Sequence, residues 1–252
     1  MSDMILNTLA ATLDDIEGMR KATANRLRTL KASEPDADGV IRGMGLGDGH
    51  YSVMALQQTL EDLEYIEKHT VKDLQTAMKQ HPLGEWVKSQ KGVGEKTAAR
   101  LLAAVGDPYW IDEAEFEDDE GNVVHRPARA RTVSELWAYA GLHVDRSTSS
   151  AVRRKKGVQS NWKTEIKTRA YLIAEACVKA GVRKDPEDDE KRVATTKYAK
   201  VYLDRRAHTA YTHPEWTPGH SHNDAMRIVS KELLKDMWVA SKALHTGEDK
   251  EN

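Results

Sequence analysis

Leu6, Leu9, Leu13, Ile16 and Met19 follow one another at steps of three or four residues, and Leu27 and Leu30 resume the same stripe. That spacing fits the 3.6-residue period of an α-helix and not the two-residue period of a strand, so it predicts a helix from about Ser2 to Ala32. Ser33-Glu34-Pro35-Asp36 stops it, and the stretch from Gly39 to Gly49 reads as a glycine-rich connection. A second helix is expected from about Ser52 to Lys79, with Leu56, Leu60, Leu63, Ile66, Leu74 and Met78 on one side. Two long amphipathic helices joined by a loop either fold back as an antiparallel hairpin or pair with another chain as a coiled coil. A hairpin alone leaves its outer stripe partly exposed, so residues 1–80 are expected to self-associate into a homo-oligomer.

His81-Pro82 breaks the chain and opens a second region, 81–245, followed by a short tail, 246–252. Helix is expected from Thr132-Val133-Ser134-Glu135 to Gly141, because threonine followed by glutamate three residues on is a capping pattern. Further helices are expected over 163–180, 195–206 and 223–244, with a turn-like acidic insertion ending near Asn122 and a charged break over 181–190. A single Phe and few β-branched runs argue against a large sheet. The expected fold is mainly α: an N-terminal helical hairpin or coiled coil, then a helical domain.

The lone cysteine, Cys177, excludes an internal disulfide and sits in an apolar stretch, as a buried, inert thiol would. No apolar run approaches the ~20 residues a membrane span needs, and no signal segment opens the chain. A cytoplasmic protein without a membrane partner is expected.

The segment from Gln90 to Leu102 carries the strongest functional pattern. A short helical run over 84–90 meets Gly92-Val93-Gly94, and the chain restarts as a helix from Glu95 to Val105. Two glycines let the backbone turn amides outward, and the N-terminus of the following helix attracts anions. Lys91 and Lys96 flank this turn and add positive charge suited to phosphate. An ordinary helix–helix turn with a glycine cap accounts for the same residues.

The formal net charge of −2 averages over segregated segments. Between Asp112 and Glu120 there are seven acids and no base, whereas between Arg146 and Arg169 there are eight Lys or Arg and one acid, Glu165. A local basic stripe matters more for phosphate binding than the whole-chain sum, although a solvated charged face has the same composition. Arg153-Arg154-Lys155-Lys156 fits contact with a nucleic-acid backbone, and Trp162 is either a stacking ring or part of the core. His208, His213, His220, His222 and Asp224 hint at a metal site, but Pro214 and Pro218 make the spacing irregular. Asn223-Asp224 equally suits the cap of the last helix, and neither a metal nor another cofactor is expected.

Several separated segments resemble one family. Gly92-Val93-Gly94-Glu95-Lys96-Thr97-Ala98, running on to Gly106-Asp107, is similar to the opening of the C-terminal domain of the insertion-sequence 110/116/902 transposases. Leu136-Trp137-Ala138-Tyr139-Ala140-Gly141-Leu142 resembles that domain's next motif. Ser149-Ser150, the run 153–156, Arg169-Ala170-Tyr171-Leu172 and the helix around Ala225 to Leu234 follow in the family's order. The resemblance covers roughly Trp86 to Ala240, with extra residues at 111–131 and 181–222. It implies a helix-hairpin-helix domain that binds DNA, possible partnership with a guide RNA, and roles in transposition or recombination.

The same resemblance implies which residues act. Ser149 matches the family's DNA nucleophile, although the glycine that usually follows is Ser150 here. A serine nucleophile needs nearby cations to take up developing charge, and Arg146, Arg153 and Arg154 are the candidates. Gly92, Gly94, Lys96, Arg146, Arg153, Arg154, Lys155 and Lys156 are the expected DNA-binding set. The family's full transposases begin with a RuvC-like nuclease domain whose metal-binding Asp lies on an apolar strand, and this sequence opens on an amphipathic helix instead. The expectation is therefore a DNA-binding relative of the transposase C-terminal part. The alternatives are an active serine-dependent recombinase and a helical interaction protein without nucleic acid.

Overall fold

The structure is a computed structural model and describes residues 2–117, 121–145, 150–154, 156–188 and 191–247. The fold is mainly α, with 62% helix and 9% strand, so helix packing decides its shape. Helix α1 spans Ser2–Lys31 and α2 Tyr51–Gln80. A short α3, Gly84–Ser89, leads through the glycine turn into α4, Glu95–Val105. Helices α5 (Val133–Tyr139), α6 (Thr164–Gly181), α7 (Lys197–Thr212) and α8 (Pro218–Thr246) follow.

The stripes on α1 and α2 do what their period implies: Leu6, Leu13 and Leu27 of α1, and Val53, Leu63, Leu74 and Met78 of α2, are buried. They close an antiparallel hairpin, with Arg20 and Glu67 forming an ion pair across it. The hairpin then packs on α4, so residues 1–80 do not form a core of their own. Leu6, Leu13, Leu74 and Met78 belong to the same continuous core as Leu101 of α4, Ile166 and Ile173 of α6, and Leu233 and Met237 of α8. The expected surplus stripe is thus largely taken up within the chain.

Several connections differ from the sequence expectation. The acidic insertion is a β-hairpin, β2 (Ala114–Glu117) against β3 (Val123–Arg126), framed by a shorter antiparallel pair, β1 (Trp110–Ile111) with β4 (Arg129–Ala130). The basic loop begins on another pair, β5 (Val144–Asp145) with β6 (Ser150–Ala151), and the charged break over 181–190 carries β7 (Val182–Lys184) paired with β8 (Arg192–Ala194). Each sheet has two strands, so these are local hairpins that decorate a helical body.

The caps locate the helix starts. Thr132 and Glu135 form a reciprocal capping box at α5. Helix α8 starts at Pro218 and not near Asn223, because the Thr217 hydroxyl accepts the His220 amide proton and proline is tolerated in a first turn.

Two glycines hold the second half together by closeness. Gly92 has φ +94°, and a Cβ there would lie 2.6 Å from the Cα of Cys177 on α6. Gly141 has φ +65°, and a Cβ there would collide with the Trp162 indole. Gly92→Ala is therefore expected to cost about 2–4 kcal/mol, combining left-handed backbone strain with overpacking. Gly94 has ordinary backbone angles, and its nearest atom to an added Cβ is Thr97 Oγ1 at 3.6 Å. Gly94→Ala should change stability by less than about 1 kcal/mol. Urea unfolding of the two variants checks this, and equal losses would mean that the approach of the turn to α6 is not what requires glycine.

Candidate nucleic-acid interface

The turn between α3 and α4 is built locally. Val93 N–H donates to Gln90 O at 3.1 Å, Ala98 N–H to Gly94 O at 2.9 Å, and the Thr97 hydroxyl to the same carbonyl at 2.9 Å. One side of the turn, at Gly92, presses on the backbone of α6, so the freedom of that glycine serves helix packing. Gly94 and Lys91 are exposed.

The cations on α4 meet carboxylates from α1. Lys96 Nζ lies 2.8 Å from Glu17 Oε1, and Arg100 reaches Glu17 at 3.1 Å and also pairs with Asp14. Arg169 of α6 joins the same group, 2.5 Å from Asp14 and 2.7 Å from Glu165. Asp14 and Glu17 are three residues apart and therefore share one face of α1. Burial raises the Glu17 carboxyl, but its bonds to Lys96 and Arg100 outweigh that and hold it below the usual carboxylate range. Lys96, expected to face phosphate, instead has its charge satisfied by the first helix. Asp14 is one of the two residues of α1 that neutralise this cluster.

The basic segment is arranged differently. Of the residues expected there, Arg146, Ser149 and Lys155 lie outside the described residues. Arg153, Arg154 and Lys156 are exposed, and among the described residues they carry no ion pair. Arg153 lines a groove of about 530 Å³ between the β5–β6 hairpin and helices α6 and α8. Lys167 and Arg227 line the same groove. Lys167 Nζ donates to Val152 O at 3.0 Å, and Arg227 donates to Leu142 O at 3.4 Å. Asp224 is the carboxylate in the lining, and it is shared between Arg205 at 2.5 Å and Arg227 at 3.1 Å. One turn beyond Arg227, Lys231 Nζ sits 3.9 Å from the centre of the Trp137 ring. Burial, reinforced by Arg227 and Arg153, pushes the Lys167 pKa down, and burial together with Arg227 does the same to Lys231.

Lys167, Arg227 and Lys231 were missed at the sequence level. The available signal was a cation interrupting an apolar helical stretch, as Lys167 follows Ile166 and Arg227 lies between Met226 and Ile228. Trp162 is half-buried on Gly141, with Lys167 Nζ 6.0 Å from its ring centre, so it is chiefly a packing residue.

Most of the histidine-rich stretch is helical, with His213 in the turn between α7 and α8. His208 lies in α7, and His220, His222 and Asp224 lie in α8. His213, Trp216 and His220 stack face to face across the turn, with ring centres 4.1 and 4.0 Å apart. His222 Nδ1 is 2.9 Å from the Tyr202 hydroxyl. Among the described residues, no three His, Cys, Asp or Glu side chains are grouped to hold a metal ion. Cys177 is buried, and burial pushes its thiol up to about 11, which leaves it protonated and unreactive at neutral pH. Among the described residues, no helix is long and apolar enough to cross a membrane.

Comparison of the chain with protein-family models, curated proteins and solved structures finds no match.

The ion cluster on α1 makes stability depend on acid. Glu17, Asp107, Asp224 and Glu232 are all held below their ordinary values despite burial, each by hydrogen-bonded partners. A depressed native pKa contributes stability that is complete above the unfolded value and is lost as pH falls through the native one. Thermal stability should therefore fall below about pH 4.5, the ordinary glutamate value, and keep falling as these groups protonate. Glu17→Gln should cost about 1–2 kcal/mol at neutral pH, between the values for exposed and buried pairs, and should make the acid limb shallower. An unchanged acid limb in Glu17→Gln would show that the cluster carries no linkage.

Proposed function

We propose that this protein binds DNA through the phosphate backbone, using the basic segment around Arg153, Arg154 and Lys156 together with Lys155 and Arg146. The observation that carries this reading is a contrast between two cationic regions. The cluster of Lys96, Arg100 and Arg169 is neutralised by Asp14, Glu17 and Glu165. Arg153, Arg154 and Lys156 are exposed and, among the described residues, free of carboxylate partners. Cations left to solvent on a contiguous segment are those that release counterions when they meet phosphates. The exposed edge of the α3–α4 turn, at Gly94 and Lys91, is an accessory contact of the same kind. The motif resemblance to insertion-sequence transposases supports the choice of DNA as the nucleic acid, with a guide RNA as a further partner of the same surface.

The test is salt-dependent retention of a short duplex by the full chain. Replacing Arg153, Arg154, Lys155 and Lys156 with Ala should weaken binding while the fold persists. It should also flatten the slope of log affinity against log salt by roughly 0.9 for every phosphate that the variant no longer neutralises. Unchanged slope in this variant would reduce the segment to a solvated face. No retention by the wild type at low salt would favour a helical interaction protein.

Self-association through residues 1–80 is part of the same proposal. It is supported by exposed Ile5 and Met19 on α1, and Met54 and Ile66 on α2, apolar side chains left outside the hairpin. Removing the hairpin would strip Leu6, Leu13, Leu74 and Met78 from the common core, so point variants of the full chain are the proper probe. Sedimentation velocity should show an oligomer that Met19→Glu or Ile66→Glu weakens, and a monomer at every concentration would overturn it.

A further inference from the structure

The groove beside the basic segment holds more positive charge than the fold can use. Arg153, Lys167 and Arg227 line it, and Asp224 already serves Arg205 as well as Arg227. Lys167 is half-buried, its bonded acceptor is a backbone carbonyl, and the charges acting on it are Arg227 and Arg153. Arg227 Nε is buried and has no partner. A half-buried ammonium beside two guanidinium groups destabilises a folded chain unless an anion joins it. A buried Arg donor without an acceptor carries the same implication, because such groups are nearly always satisfied in native proteins.

We propose that this groove is a built site for one phosphate group, held by Lys167 and Arg227 and flanked by Arg153. The chemistry of the donors selects the class of ligand. Lys167 has spent one of its protons on Val152 O and keeps two, and Arg227 uses one proton of each terminal nitrogen, on Leu142 O and Asp224, and keeps the other. Donors from α6, α8 and the segment after β6 line one groove, which suits a tetrahedral oxyanion with several acceptor oxygens better than a planar carboxylate. Asn223, also in the lining, can add a neutral donor. The source expected of this phosphate rests on the DNA reading above: a phosphodiester of the strand that crosses Arg154 and Lys156. The same chemistry accepts free phosphate, and the experiment separates the two.

The full chain is titrated with inorganic phosphate at constant ionic strength, followed by phosphorus NMR, and separately with a short duplex across a salt series. Lys167→Met is the principal variant, Arg153→Ala a second that alters only an exposed side chain, and Lys72→Ala, an exposed cation on α2, an outside control. Wild type should bind phosphate saturably with one site. Lys167→Met should bind phosphate at least about tenfold more weakly, the change expected of one charge-assisted bond, while Lys72→Ala binds as wild type. Lys167→Met should also lower the duplex salt slope by about 0.9. In phosphate-free buffer its melting temperature should equal or exceed that of wild type, because it removes an uncompensated charge. A purely structural lysine would give the opposite.

Equal phosphate and duplex binding by wild type, Lys167→Met and Arg153→Ala overturns the site. So does the absence of saturable phosphate binding together with a duplex slope that neither substitution changes, and in that case duplex retention by wild type leaves the DNA reading standing. Phosphate binding abolished in Lys167→Met, with no duplex retained by wild type, keeps the site and removes the DNA reading. The ligand is then a free phosphorylated solute.

Discussion

Helix α4 is enclosed by longer helices, and its small side chains set how closely they approach. Ala98, Ala99 and Ala104 are buried alongside Leu101, Leu102 and Val105, so the helix presents alanine where neighbours must come close and leucine where a gap must be filled. Helices α1, α2 and α6 all pack on it, and its preceding turn meets α6 at Gly92. This close packing is why a short segment that resembles a nucleic-acid-binding hairpin is also the centre of the core. The packing commits Gly92 to α6, and Lys91 and Gly94 remain in solvent.

Charge follows from that packing. Once α1 lies along α4, Asp14 and Glu17 are opposite Lys96 and Arg100, and Arg169 of α6 completes the cluster. These side chains are partly buried, so leaving the cations unpaired would be costly. The carboxylates thus allow α1 to dock, and they neutralise Lys96 and Arg100 while Arg153, Arg154 and Lys156 after β6 stay exposed. On α8, by contrast, one aspartate is divided between two arginines, and, among the described residues, Asp224 is the one carboxylate that lines the groove with Arg153, Lys167 and Arg227.

The long elements were legible because their signals are repeated. A leucine stripe over four or more turns specifies a helix even when single positions are ambiguous, and α1 and α2 start and end within a residue or so of the spans read from spacing. The α5 capping box was legible for a different reason: Thr132 and Glu135 act on each other within one turn. The missed elements are strands of two to four residues, such as β2 and β7, too short to show a two-residue period and set in charged sequence. The start of α8 was placed late because Pro214 and Pro218 read as breaks, whereas proline in a first turn costs no hydrogen bond. Site residues followed the same division. Exposed Arg153, Arg154 and Lys156 are close in sequence and were visible as a run. The partner of Lys96 lies 79 residues away, and no local pattern announces it. Lys167 and Arg227 come together only after α6 and α8 pack.

The near-neutral total charge also limits how such a site can work. A chain with formal net charge −2 exerts little long-range attraction on a polyanion, and at physiological salt the potential of any one side chain fades within about 8 Å. The acidic β2–β3 hairpin adds a repulsive region of its own, with Glu115, Glu117 and Phe116 facing solvent. Steering over distance is therefore weak, and recognition must come from contact. At contact, a low-dielectric groove strengthens each charge–phosphate bond relative to an open surface. On the proposed reading, a segregated pattern of neutralised clusters, an acidic hairpin and an unbalanced groove would confine binding to a single face without making the whole molecule adhesive to anions. An evenly basic chain of the same size would bind more strongly at a distance and discriminate less between its own faces.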